Sequence, residues 1–131
     1  MAVTLSETTR ALVDAPNYAT IVTLGRDGHP QTSVMWITRD GDDLLFSTVG
    51  SRQKAVNLRR DPRASVNVWD SANPESYVEI RGTVSVTPDE GRTLLNALAL
   101  KYTGKAYPTE APEVERVVLR LTPQRVAGNA K

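Results

Sequence analysis

Tyr77-Val78-Glu79-Ile80-Arg81-Gly82-Thr83-Val84-Ser85-Val86 decides the fold. Val78, Ile80, Val84 and Val86 share one face of an extended chain while Glu79, Arg81, Thr83 and Ser85 share the other, the two-residue period of a strand with one buried side. Gly82 falls on the apolar side, where a missing side chain marks the bulge or bend that small barrels need.

Further strands precede it. Tyr18 to Leu24 is apolar and β-branched, Gly25-Arg26-Asp27-Gly28 is a turn, and Gln31 to Thr38 completes a hairpin. Arg39 to Asp43 turns the chain into Leu44 to Ser47, which makes a three-stranded meander. From Ser51 the period changes: Ala55, Val56 and Leu58 among Arg52, Lys54, Asn57 and Arg59 predict a short helix that ends near Asp61-Pro62. Ala64 to Trp69 is the next strand, and Asp70 to Ser76 a polar loop. At the start, Ser6 opens a short helix that stops before Pro16.

Beyond the long strand, Thr87 reads as an N-cap with Pro88 at the first helical position and Glu90 closing a capping box. Leu94, Leu95, Leu98 and Tyr102 follow at helical spacing, Gly104 ends the helix, and Val117, Leu119 and Leu121 alternate in a last strand. The expectation is a mainly β domain over residues 1–131, a six-stranded antiparallel barrel with short flanking helices.

Composition narrows the chemistry. Among 131 residues there is no cysteine and one histidine, which removes thiolate nucleophiles, zinc ribbons, iron–sulfur clusters and multi-histidine metal sites. A formal net charge of +1 disfavours a nucleic-acid binder, since neutralising phosphates needs a basic excess. The apolar runs fall far short of the roughly 20 residues of a membrane span. Met1 to Glu7 lacks the basic-then-apolar order of a signal peptide, so a cytoplasmic location is expected.

Two stretches carry possible chemistry. Ser47-Thr48-Val49-Gly50-Ser51-Arg52-Gln53-Lys54 ends a strand, turns at glycine and opens a helix with two cations and several hydroxyls. Those are the parts of an anion cradle at a helix N-terminus. The plainer alternative has Ser51 capping the helix and both cations solvated. Ser33-Val34-Met35-Trp36 presents a hydroxyl, a branched residue, a thioether and an indole in one strand, either an ordinary core strand or an edge for a planar heterocycle. His29 reads as an exposed turn residue. Arg59, Arg60 and Arg63 read as a solvated helix end or as a hold for an anionic tail, and Trp69 as a core or interface residue.

With these residues in hand, the chain resembles the pyridoxamine 5′-phosphate oxidase-like split β-barrel superfamily, and within it the short oxidoreductases that use the deazaflavin coenzyme F-420. The resemblance rests on Asp27 to Trp36, on Ser47-Thr48 with Arg52, Lys54, Asn57-Leu58 and Asp61-Pro62-Arg63, on Val78 to Gly82, and on Lys101 to Gly104 with Tyr107-Pro108. It implies a homodimer with cofactor sites at the subunit interface. Ser33, Val34, Met35 and Trp36 would then lie along the ring system. Ser47 belongs to the same cradle, in which Thr48, Arg52 and Lys54 hold the phosphate and Asn57 supports the loop, while Trp69 and Tyr77 reach in from the partner chain. The expected activity is hydride transfer from the reduced deazaflavin to a small electron-poor acceptor, with the final proton from water. An FMN enzyme of the same fold and a non-catalytic F-420 or flavin carrier are the alternatives. From composition, charge and the length of the apolar runs, no metal and no nucleic-acid or membrane partner is expected. Pyridoxamine phosphate oxidases proper grip substrate with a C-terminal Arg and His, and Ala127 to Lys131 supplies no such pair, so vitamin B6 synthesis is not expected.

Overall fold

The computed structural model describes residues 2–131. Helix α1 (Glu7–Asp14) is followed by strands β1 (Ala19–Leu24), β2 (Pro30–Met35), β3 (Thr38–Asp40) and β4 (Asp43–Val49). Helix α2 (Gln53–Arg60) then leads to β5 (Arg63–Asp70) and to β6 (Asn73–Pro88), the longest strand at 16 residues. A 3-10 turn (Glu90–Arg92), helix α3 (Thr93–Thr103) and β7 (Arg116–Ala127) complete the chain.

All pairings are antiparallel, in the order β2-β1-β5-β6-β7-β4-β3. There are seven strands where the sequence predicted six. The extra one arises because the predicted strand Gln31 to Thr38 breaks at Trp36-Ile37: β2 pairs with β1, whereas β3 pairs with β4 at the far edge. Met35 and Thr38 are three Cα–Cα steps apart, at most about 11 Å. Sheet edges so tethered can only coexist if the sheet curls until its first and last strands meet. The result is a split barrel, closed by the covalent chain and not by a hydrogen-bonded ladder.

The inward face is apolar. Ile21, Phe46, Val66, Val68, Val78, Ile80, Leu119 and Leu121 are fully buried, and each such side chain removed from water contributes about 1.5–3 kcal/mol. Gly82 is buried in β6 at a register shift against β7, as its place on the apolar face suggested. A Cβ there would lie 2.0 Å from the Thr122 carbonyl oxygen, so glycine is required for the two backbones to approach.

Helix α1 begins as expected, with the Ser6 hydroxyl accepting from the Thr9 N–H. The start of α3 differs from the sequence expectation. Thr87 and Pro88 stay in the β6–β7 ladder, opposite Val118 and Val117, and so cannot cap a helix. Asp89 does so instead, its carboxylate accepting from the Leu94 and Leu95 N–H groups at 3.0 Å each. Between them, Gly91 and Arg92 adopt left-handed backbone. Gly104 ends α3 at φ 78°.

Candidate functional site

Two unpaired strand edges face each other across the split. One is β2, bonded only to β1. The other is the later half of β4, Phe46 to Val49, since β3 covers only Asp43 to Leu45. Helix α2 crosses beneath them, packed on β1 and β6, with the Arg59 guanidinium on the Gly50 carbonyl and that of Arg60 on the Leu24 carbonyl.

A chain of polar groups ties this helix to the edge of β2. Gln53 Nε2 donates to Asn57 Oδ1 at 2.7 Å, and Asn57 Nδ2 donates to Thr23 Oγ1 at 3.1 Å. Thr23 Oγ1 donates to Gln31 Oε1 at 3.0 Å, and Gln31 Nε2 reaches Ser33 Oγ at 3.4 Å. Asn57 and Thr23 are wholly buried, and each is satisfied within the chain. Asn57 therefore ties α2 to β1. Gln53, Thr23 and Gln31 did not stand out in the sequence, although the alternation of Gln31 with Ser33 and Met35 on one face of β2 was a usable signal.

The two cations at the start of α2 are distinguished by what they lack. Neither Arg52 nor Lys54 forms an ion pair among the described residues. Lys54 is half-buried, and burial, with Arg52 beside it, holds its ammonium below the usual lysine value. The neighbouring arginines are already engaged: Arg59 lies 3.7 Å from Glu115, and Arg63 binds Asp61 at 2.7 Å. A half-buried lysine beside an exposed arginine, neither of them paired with a carboxylate among the described residues, is suited to a bound anion.

The three hydroxyls of the expected cradle do not gather. Thr48 shares the inward face of β4 with Leu44 and Phe46 and is 4% exposed, whereas Ser47 points outward under α3. Ser51 is exposed and does not cap α2, whose N-cap residue is Arg52 with no side-chain capping bond. Strand alternation is the cause, since adjacent residues of a strand face opposite ways.

Ser47 joins Met35 and Trp36 in a recess of about 200 Å³ at the closed end of the split, with Tyr107 and Arg116 on its far side. Trp36 stacks on Tyr102 and meets Tyr107 edge-on at 6.4 Å. Val34 points to the other face of β2 and is 64% exposed. Trp69 and Tyr77 sit opposite each other in β5 and β6, two and three strands from β2 within the same chain. His29 is exposed in its turn. Arg116 carried no signal in the sequence, because only the return of β7 beside β4 brings it near Ser47, and Tyr107 belonged to a stretch that carries the resemblance but was not singled out as a site residue.

An antiparallel sheet split along one seam, with a cationic helix start beneath it, defines the split-barrel class. The chain belongs to the pyridoxamine 5′-phosphate oxidase family, whose model matches residues 5–130. It is similar to a solved F-420 reductase, at 31% identity over 94% of this chain and 98% of that one, with a TM-score of 0.83. A conserved hypothetical protein from Mycobacterium tuberculosis shares 28% identity over 95% of this chain and 84% of its own, with a TM-score of 0.75. A pyridoxamine 5′-phosphate oxidase-related, FMN-binding protein from Nostoc punctiforme, at 18% identity, shares the fold over 91% of this chain and 76% of its own, with a TM-score of 0.64.

Proposed function

We propose that this protein is an oxidoreductase that holds the deazaflavin coenzyme F-420 in the split between β2 and β4. The observation that carries the reading is half-buried Lys54 with exposed Arg52 beside it at the start of α2, neither with an anionic partner among the described residues. They would hold the cofactor phosphate. The free edge of β2 from Ser33 to Trp36 would meet the polar rim of the ring with its backbone groups, as an unpaired strand edge can. Asn57 keeps the helix start fixed against β1, so the cations are positioned before anything binds.

When bound and reduced, the deazaflavin supplies a hydride to an electron-poor acceptor, which takes its second hydrogen as a proton from water. The chain's own contribution is to bind and orient. The likeness to an F-420 reductase supports this choice of cofactor.

The same reading includes a homodimer. The β5–β6 register sets Trp69 opposite Tyr77, and Val34, Tyr18 and Tyr77 are exposed large apolar or aromatic side chains. Tyr18 is 45% and Tyr77 38% exposed, and a second copy over these side chains would cover them and bring its Trp69 and Tyr77 to the split. Titration with F-420 and with FMN, side by side, tests the assignment. Tighter binding of FMN moves the reading to a flavin enzyme, and tight F-420 binding without turnover on any acceptor moves it to a carrier. A monomeric sedimentation profile removes the dimer.

A further inference from the structure

We infer that the open recess lined by Trp36, Ser47, Tyr107 and Arg116 is a carboxylate-binding subsite, which fixes a planar, carboxylate-bearing acceptor at the end of the split. That the occupant is the acceptor rests on the function proposed above; that it is a carboxylate rests on the recess itself.

The Ser47 hydroxyl is buried and has no hydrogen-bond partner among the described residues. An unmet hydroxyl of this kind costs about 1–3 kcal/mol, and a turn about its Cα–Cβ bond toward a ligand oxygen in the recess would relieve it. Across from it, Arg116 gives Nε and Nη2 to the Glu110 carboxylate at 2.9 and 3.0 Å, and its guanidinium lies 5.0 Å from the Tyr107 ring centroid. Arg92 approaches the same carboxylate at 3.5 Å through an Nε that has no hydrogen bond of its own. Two guanidinium groups thus meet the Glu110 carboxylate beside the recess. The Glu110 hydrogen bonds hold the Arg116 plane still, and they keep Glu110 ionised well below the usual carboxylate range.

The walls select shape. Trp36 and Tyr107 stand at 77° to each other, Met35 fills the inner corner, and Leu95 and Leu98 of α3 form the floor. A space of about 200 Å³ admits one ring or a conjugated chain end, and is smaller than a site for a whole drug-sized ligand. An aryl or vinyl carboxylate fits both the charge and the walls. In turnover its carboxylate is an unchanged anchor, while a carbon further along takes the hydride from the reduced deazaflavin and a neighbouring atom takes a proton from water.

The experiment is an amide and side-chain N–H titration by nuclear magnetic resonance, on the full chain without cofactor, using cinnamate and cinnamyl alcohol as probes. Cinnamate is expected to give saturable shifts at the Trp36 indole, the Ser47 amide and the Arg116 Nε–H, with the alcohol at least about ten-fold weaker. Ser47→Ala is expected to weaken cinnamate about ten-fold without lowering the thermal midpoint, since no internal hydrogen bond is lost. Arg116→Lys, which keeps the charge but not the fork, is the second variant and is expected to weaken it as well. Equal affinity for acid and alcohol, an unchanged Ser47→Ala affinity, or shifts confined to the outer sheet face overturn the proposal. Absorbance titration with F-420 on the same samples separates the two claims. Cofactor binding with no cinnamate response sinks the subsite alone, and a cinnamate response with no cofactor binding sinks the oxidoreductase reading alone.

Discussion

The indole of Trp36 lies 5.3 Å from the ring of Tyr102, with the two planes within 9° of parallel. Trp36 belongs to the two-residue link that closes the barrel, and Tyr102 to the last turn of α3. The Tyr102 hydroxyl accepts from the Ile37 N–H at 3.1 Å and donates to the Asn17 carbonyl. One side chain thus clamps the seam by stacking and by hydrogen bonding together.

Tyr102→Phe keeps the stack and removes both hydrogen bonds. Urea unfolding is expected to show a loss of about 1–3 kcal/mol, the cost of stranding the Ile37 N–H and the Asn17 carbonyl. Wild-type stability would mean that the seam is held by the rings alone.

Beside it, Lys101 donates to the Val13 carbonyl at 2.7 Å and the Ile37 carbonyl at 2.6 Å, and burial brings its pKa down to about 8 against the opposing pull of Asp14. The amine of the unfolded chain keeps its proton to about pH 10.5, so between these values the unfolded state binds more protons. Stability from this group therefore rises as pH increases from about 8 towards 10. Tyr102, whose phenol is raised by burial, acts in the opposite sense at higher pH. Wild-type stability measured against Lys101→Met across this window isolates the lysine; a flat difference would contradict the assignment.

Lys54→Ala is expected to weaken cofactor binding by about 1–3 kcal/mol, the scale of a charge-assisted hydrogen bond left unmade. The unfolding midpoint is expected to hold, because the ammonium has no internal partner to lose. A titration that gives unchanged affinity would return Lys54 to the role of a solvated cation.

Gly82→Ala forces a methyl group onto the Thr122 carbonyl oxygen, where only backbone movement can make room. A loss of about 3 kcal/mol or more is expected in denaturant unfolding. Gly28→Ala is the useful contrast: no atom lies within 4 Å of its Cβ position, and its cost is confined to backbone strain at φ 81°.

Much of the fold was legible because strand faces alternate. Val78, Ile80, Val84 and the opposing Leu119 and Leu121 declare their inward direction in the sequence alone. The break at Trp36-Ile37 was not legible, since Gln31 to Thr38 has no glycine or proline to mark it; the strand ends where the sheet runs out of neighbours. Asp89 was hidden for a related reason. Thr87-Pro88 imitates a helix start, but the ladder to Val117 and Val118 outweighs the local preference. At the candidate site, Lys54 stood out in the sequence through the strand-turn-helix stretch that carries it, and Asn57 through the resemblance. Tyr107 and Arg116 lie some sixty residues from Ser47, and nothing local ties them to it.

Because a short covalent thread and not a ladder joins the two rims, the circumference of this protein is set at one place. Trp36 and Ile37 form that thread, and both are held by neighbouring side chains of α3, Tyr102 and Lys101. The bore of the frame is therefore governed from a helix outside the sheet, and substitutions at the end of α3 are the ones that would alter it.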